Sequence, residues 1–484
     1  MNDNRSWSYG WMWSAIALIG AGVSGFASAT PSDITRAVIQ GGIVVGEPTT
    51  VTSGMSAQQQ RPESPAPAGK ILDLESAVRI ALDQNPLNRA AREGIAVAKE
   101  AVGEARAPFY PDLALNASYS RWERHAFLPS AIGRLGIPSI IGPTNDWFSG
   151  LATRYTLFDF GQRRAELKAA QAREGVAKEE AARVRQDIVL EVHQAYFGLV
   201  AALETARVVQ EALRRAEDHL RLARLQKEAG AVPQVDVVRA QVEVADAGLT
   251  LARAESLVRI GRGGLNTAMG LPVETRLDID TRIRELTRPD DISLTEALNK
   301  AVELRPEIRA AEQRIAASRS GVSAAKGAFG PKVRGEARFG WQDTTFFPND
   351  KDWLVGLSLD LPLFDGFSRK HKLAKAKAEV SEEEADSARL AQTVRQEVWT
   401  AYSRLKESFA VVASTDALVR DAQESLRLAN ERYKVGAGTI TDLLDSETAL
   451  ARAEATRVGA QWDYQIARAV LRRSVGDLVV DGTP

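Results

Sequence analysis

From Gly161 to about Ala229 the chain carries one unbroken helical pattern with no proline inside it. Its small and apolar residues stand at Ile188, Val192, Ala195, Leu199, Ala202, Ala206, Val209, Leu213, Ala216, Leu220 and Ala223. The steps between them alternate four and three, the heptad rhythm of a coiled coil. A helix of that span runs on the order of 100 Å at 1.5 Å per residue, about three times the width of a small domain, so it cannot be the inside of one globule. Alanine is frequent along the seam, which lets neighbouring helices approach closely. Arg183, Arg185, Gln186, Asp187 and Glu191 flank it, so the stretch is not a membrane span.

The N-terminus reads as a targeting segment. Arg5 and the free amine, partly offset by Asp3, precede an apolar run from Trp11 to Phe26. The run is interrupted by Gly20, Gly22 and Gly25, is too short for a comfortable span, and ends at Ala27-Ser28-Ala29, an A-x-A cleavage pattern. We expect a secretory signal peptide over 1–29 and a flexible leader over 30–69, which is rich in Gln, Pro, Ser and Ala. Formal net charge is −1 and no basic face stands out, so no nucleic-acid partner is expected. Cysteine is absent, which excludes disulfides, thiolate metal sites, cysteine nucleophiles and lipid attachment at a processed cysteine.

The chain is a tandem repeat. LESAVRIALDQNP, ending at Pro86, returns as LTEALNKAVELRP, ending at Pro306, 220 positions on. Phe109-Tyr110-Pro111 and Phe329-Gly330-Pro331 keep that offset. Trp147 with Trp353 and Phe158-Asp159 with Phe364-Asp365 are 206 apart, so the first half has the longer loop. The offset of 206 then holds from Ala195-Tyr196 with Ala401-Tyr402 to Gly270 with Gly476. A coiled coil explains this constancy, because one inserted residue would rotate the seam off its partner. The seam recurs at Val394, Val398, Ala401, Leu405, Val412, Val419, Ala422, Leu426 and Ala429. Each half should contain an opening helix of about 35 residues ending near Pro108 or Gly327, two strands, a long helix, a glycine break at Gly230 or Gly436, and a last helix. The expected boundaries are 70–271 for the first repeat with a hairpin over 112–158, 272–291 for a connector, 292–477 for the second repeat with a hairpin over 332–364, and 478–484 for a tail.

The strands alternate sharply. Val333, Ala337, Phe339 and Trp341 share one face, and Arg334, Glu336 and Arg338 the other. Trp353, Val355, Leu357, Leu359 and Leu361 oppose Ser358 and Asp360; Leu113, Leu115, Ala117 and Tyr119 oppose Asn116, Ser118 and Ser120; Trp147, Leu151, Tyr155 and Leu157 oppose Arg154. Strands of about ten residues with one apolar and one polar face suit a transmembrane barrel with a wet lumen. Trp122, Trp147, Trp341 and Trp353 bracket the hairpin loops, where an interfacial girdle belongs. Four strands cannot close, and open edges are not tolerated in lipid, so a spanning chain must share its barrel with other copies. Arg154, Arg334, Glu336, Arg338 and Asp360 would face the lumen.

These features together resemble the TolC-type outer-membrane efflux channels. The resemblance rests on the repeated L-x-x-A-x-x-x-A-L/V-x-x-N/R-P opening and the Phe-x-Pro before the first strand. It rests also on Thr156-Leu157-Phe158-Asp159 with Pro362-Leu363-Phe364-Asp365 and on the run from Tyr433 to Asp445, YKVGAGTITDLLD. It covers about 70–480. It implies a mainly α protein with transmembrane β: long antiparallel helices forming an α-helical barrel, and two β-hairpins contributed to a shared trimeric barrel of twelve strands. It implies a passive duct of a tripartite efflux or type I secretion system. The partners implied are an outer-membrane lipid environment, a periplasmic adaptor and an inner-membrane pump of RND or ABC type, with no cofactor and no enzymatic activity. Carried over residue by residue, Asp442 and Asp445 match the aspartates that ring the closed periplasmic aperture, where mutual repulsion would raise their pKa. Tyr433 and Asp236 match closed-state tip contacts, and Gly230, Ala231, Val435 and Gly436 the adaptor-docking tips. Two positions depart from the pattern: Gly438 stands where the best-known member has an arginine, and Ala229 stands where the second tip has valine.

A plainer role competes at the aspartates. Asp236, Asp442 and Asp445 sit where helices restart after glycines, and acids there cap the backbone. Two S-x-x-K matches, at Ser323 and Ser403, lack companion motifs. The four histidines are scattered, with surface or seam-flanking positions expected and no metal site. A soluble periplasmic coiled-coil scaffold or adaptor is the alternative; it would need the hairpins to pack on protein.

Overall fold

The computed structural model of the protein describes residues 71–125, 140–281 and 293–478. The expected signal peptide and leader lie outside the described residues, as do the connector beyond 281 and the tail beyond 478. In chain order the elements are α1 (Leu74–Gln84), α2 (Pro86–Arg106), a 3-10 turn, β1 (Asp112–His125), β2 (Ile140–Phe158), α3 (Gln162–Glu228) and α4 (Gln234–Ala268). The second half follows with α5 (Leu294–Leu304), α6 (Pro306–Gly327), β3 (Lys332–Asp343), β4 (Asp350–Asp360), α7 (Ser368–Lys434) and α8 (Ile440–Val475).

Each half opens with two helices where the sequence suggested one of about 35 residues. Asn85 and Arg305 adopt φ/ψ of −67°/125° and −69°/125°, the extended region a following proline imposes. Pro86 and Pro306 then start the next helix, where a missing N–H costs nothing. Gly270 and Gly476 close in on these breaks with φ of +76° and +89°. A Cβ on Gly270 would stand 2.7 Å from the Asn85 Cα, and one on Gly476 3.0 Å from the Arg305 nitrogen. Both the left-handed backbone and the approach require glycine there.

The strands form one antiparallel meander, β1-β2-β3-β4. Its register lines up Leu115, Leu151, Phe339 and Trp353 across all four strands. Val333 lies opposite Leu359, and Ala337 opposite Val355. This side of the sheet is open: Val355 is 75 % and Leu357 77 % exposed. On the other side Arg154 faces Glu336, and Arg334 and Arg338 pair with Asp360 and Asp352 at 2.8 Å. Within the sheet β1 and β4 each pair on one side alone.

α3 and α7 both contain 67 residues. Every seam position read from the sequence is buried or half-buried in both helices. α3 carries the first core with α1 and α4, centred on Ile188, Val192, Leu199 and Leu265; α7 carries the second, centred on Val394, Val398 and Tyr464. Smaller clusters follow each coil outward to its tip.

A buried ionic clasp joins the halves. Arg473 of α8 donates to Asp187 of α3 and to Glu307 of α6, each at 2.7 Å. Arg305 donates to Glu307 at 3.2 Å and to Glu397 of α7. Burial pushes the Glu307 carboxyl up, but the Arg473 bond and charge, with Arg305, hold it below the usual carboxylate value.

Nearby, His193 lies against Phe197, which stacks on Trp462 at 5.7 Å. Burial, with the charge of Arg472, pushes this imidazole from its ordinary 6.5 to about 4. The unfolded chain therefore takes up the proton more readily than the folded one. The contribution to stability is whole above pH 6.5 and declines as pH falls to 4, by up to about 3 kcal/mol. We expect the unfolding midpoint to drop between pH 7 and 4.5, and His193→Leu to flatten that limb. Identical slopes for both proteins in thermal circular dichroism would mean that His193 is solvated.

Candidate functional site

The two hairpin tips lie at the ends of α3 and α7 remote from the sheet. Both turn by the same device. Gly230 N donates to Lys227 O and Ala231 N to Gln226 O; Gly436 N donates to Tyr433 O and Ala437 N to Arg432 O. Gly230 and Gly436 take φ of +75° and +70°, the left-handed closure that glycine favours at a helix end. Val435 is 76 % exposed. α4 restarts after Pro233 without a side-chain cap, whereas α8 restarts on a full capping box.

That box is Thr439 and Asp442. The Asp442 Oδ2 accepts from the Thr439 amide at 3.2 Å and from its hydroxyl at 2.8 Å, while Thr439 Oγ1 accepts from the Asp442 amide at 3.1 Å. The Thr439 bonds, with the charge of Arg432, hold the Asp442 carboxyl below its ordinary value. Within one chain the shift thus runs opposite to the rise expected of a repelling ring, because the cap dominates locally. Asp445 is exposed, one turn further along α8.

Tyr433 is buried among Ile440, Leu443, Leu222 and Leu426. Its hydroxyl meets no hydrogen-bond partner among the described residues. Burial, with the charge of Asp236, pushes the phenol up. The structure brings Tyr433 and Asp236 into electrostatic reach without bonding them. The bond between the tips comes from elsewhere: Arg239 of α4 donates to the Thr441 hydroxyl of α8 at 2.9 Å.

A second link was missed in the sequence. Glu447 of α8 is 7 % exposed, and its carboxylate accepts from Arg215 Nε at 3.0 Å and meets His219 Nε2 at 2.8 Å, both on α3. Burial pushes Glu447 up, but His219 and Arg215 outweigh it and hold the carboxyl low. Glu243 of α4 feels the His219 charge as well, but more weakly than what opposes it. Burial, then the charges of Asp246, Glu447 and Asp445, push it up. His219, Glu243, Asp246 and Glu447 line a cleft of about 330 Å³ between α3, α4 and α8. The available signal was the phase of Glu447: it falls in the buried series Ile440, Leu443, Glu447, Leu450, Ala453, where an unpaired charge would be costly.

The five charges expected in the lumen, Arg154, Arg334, Glu336, Arg338 and Asp360, share the polar side of the sheet. Phe148 is an apolar residue on that side, with the Arg338 guanidinium 5.4 Å from its ring. Among the described residues no cluster of metal ligands occurs, and no helix is long and apolar enough to cross a membrane.

A sheet with an open apolar side, mounted on helices too long for one globule, defines a membrane channel subunit. The chain belongs to the outer membrane efflux protein family, whose model matches residues 77–271 and 297–477. It is 29 % identical to protein CyaE of Bordetella pertussis over 432 residues, 87 % of this chain and 88 % of that one. It is 26 % identical to outer membrane protein TolC of Escherichia coli over 417 residues, covering 81 % and 80 %. A crystal structure of a membrane protein from Pseudomonas aeruginosa superposes with a TM-score of 0.74 at 26 % identity, covering 84 % of this chain and 91 % of that one. The chain is therefore an export channel of the outer membrane that extends into the periplasm, and the soluble scaffold alternative falls away.

The tip geometry makes a local prediction. Asp442→Ala should speed amide exchange over 440–443, and Asp445→Ala should not. In the unaltered chain the same protection should persist above the ordinary aspartate value and fade as pH drops through the lowered one. Equal exchange in both variants would deny the cap.

Proposed function

We propose that three copies of the chain close one barrel of twelve strands and one helical duct, which conducts cargo passively from an inner-membrane pump. The observation that carries this reading is the sheet: an exposed apolar side with a bare edge at each end, β1 and β4. In lipid those edges must find partners, and a further copy supplies the complementary edge. Exposed apolar residues at heptad spacing on α4 (Val235, Val238, Val242, Leu249) and α7 (Val411, Leu418) support the same assembly. The reading includes no enzymatic step.

In this reading the tips are the gate. Asp442 and Asp445, three times over, ring the aperture and favour cations. Tyr433 with Asp236, Arg239 with Thr441, and Glu447 with Arg215 and His219 hold the second coil against the first. Arg239 supplies a cation to the tip contacts where Gly438 offers none. The turns at Gly230, Ala231, Val435 and Gly436 receive a periplasmic adaptor; no atom stands within 4 Å of a Cβ built on either glycine. The pump is of RND or ABC type, and Arg154, Arg334, Glu336, Arg338 and Asp360 line the barrel.

The test is extraction from the outer membrane, mass by light scattering, and planar-bilayer conductance. A trimer with discrete cation-selective steps is expected; a monomer without conductance would sink the reading. Asp442→Ala with Asp445→Ala should raise conductance or lower cation preference, and unchanged currents on both counts would remove the aperture assignment. Glu447→Gln strands two cations, should cost about 3 kcal/mol in stability, and should raise the closed-state conductance. A variant that is less stable yet equally closed would reduce Glu447 to a structural role.

A further inference from the structure

The first turns of α7 carry charge that the fold does not require. From Ser368 to Lys377 the sequence is SRKHKLAKAK, five Lys or Arg and one His with no acid. Cations at a helix N-terminus oppose the helix dipole, so they are disfavoured there unless something outside the helix compensates. The first repeat shows what the fold itself needs. Arg163 and its counterpart Arg369 both bind the aspartate four residues back at 2.8 Å and a proline carbonyl at 2.7 Å. Arg369 is thus accounted for. The other counterparts are Arg164, Ala165, Glu166, Ala169 and Gln171, where the second repeat has Lys370, His371, Lys372, Lys375 and Lys377. All five are exposed. Lys375 pairs loosely with Glu379 at 3.6 Å, and among the described residues Lys370, Lys372 and Lys377 have no ion pair.

What leads into these turns is apolar. Phe158 lies opposite Val333 and so shares the open side of the sheet; Phe364 is its repeat counterpart. Leu363 is 88 % and Phe364 75 % exposed. The Phe364 ring meets Phe367 edge-on at 5.5 Å, and the Lys370 ammonium stands 5.8 Å from the Phe367 ring. The order from β4 to α7 is therefore aliphatic, aromatic, cationic, which is the order of hydrocarbon, interface and phosphate in a leaflet.

We propose that Phe364, Phe367, Lys370, His371 and Lys372 form a binding surface for anionic phospholipid headgroups of the periplasmic leaflet. The aromatics sit at the acyl boundary and Lys370 and Lys372 take the phosphodiesters. Lys375 and Lys377 stand about one Debye length further down the helix and add long-range attraction. The inference rests on the sheet's apolar side facing lipid.

The experiment uses the full mature protein in vesicles of phosphatidylcholine with a trace of spin-labelled phosphatidylglycerol or phosphatidylcholine, the immobilised fraction being read by electron spin resonance. The unaltered protein should select phosphatidylglycerol at 50 mM salt and lose that selection at 0.5 M. Lys370→Gln with Lys372→Gln should lower the selection about fivefold or more, while Lys370→Arg with Lys372→Arg keeps it. Equal association of both lipids with the unaltered, conducting protein overturns the proposal and leaves the channel standing. So does selection that survives the glutamines. An unaltered protein that neither inserts nor conducts overturns both readings.

Discussion

The helical part of this chain answers to the heptad seam of α3 and α7. A seam of small residues holds two helices together only while each residue faces its partner, and an insertion of one residue turns everything beyond it by about 100°. That constraint keeps α3 and α7 at the same length and 206 positions apart, while the loops before them vary. The tips inherit their alignment from it. Tyr433, Thr441 and Glu447 meet α3 and α4 because the seam delivers them there in phase. The sheet obeys a different constraint, backbone pairing, and the two meet at Asp159–Arg163 and Asp365–Arg369, where strand becomes helix in each half.

The repeats diverge where their tasks do. Asn85 caps its break and binds the Ala268 carbonyl; Arg305, in the same place, reaches into the clasp with Glu307 and Glu397. The first tip restarts on a proline and the second on a capping box. The second copy also takes the lysines at the start of α7 and the aspartates at its tip. Duplication supplied a frame, and the charged residues distinguish its two halves.

Periodic features were legible in the sequence. The seam, the strand alternation and the repeat offset each recur many times, so single ambiguities cancel. The division of the opening helix was legible too, had Pro86 and Pro306 been weighed against the periodicity running through them; a proline overrides it. The clasp and the Glu447 link were not legible. Apart from Arg305 and Glu307, their partners stand 92 to 286 positions apart in the chain, and nothing local announces them beyond a charge in an apolar phase. Of the two roles the sequence left open for Asp442, the chain itself shows the cap; the ring is a proposal that belongs to the assembly, and one residue can serve both.

Glu447 has a consequence for how such a coil comes apart. A leucine in its place would pack as well as its neighbours and weld α8 to α3. A carboxylate held by Arg215 and His219 is different: separated, each group is received by water, and the charges lost to one another are regained as hydration. The contact is specific when made and inexpensive to leave. Toward its tip α8 buries Ile440, Leu443, Leu450 and Ala453 around this one carboxylate, and in the proposed duct that is where the wall would part.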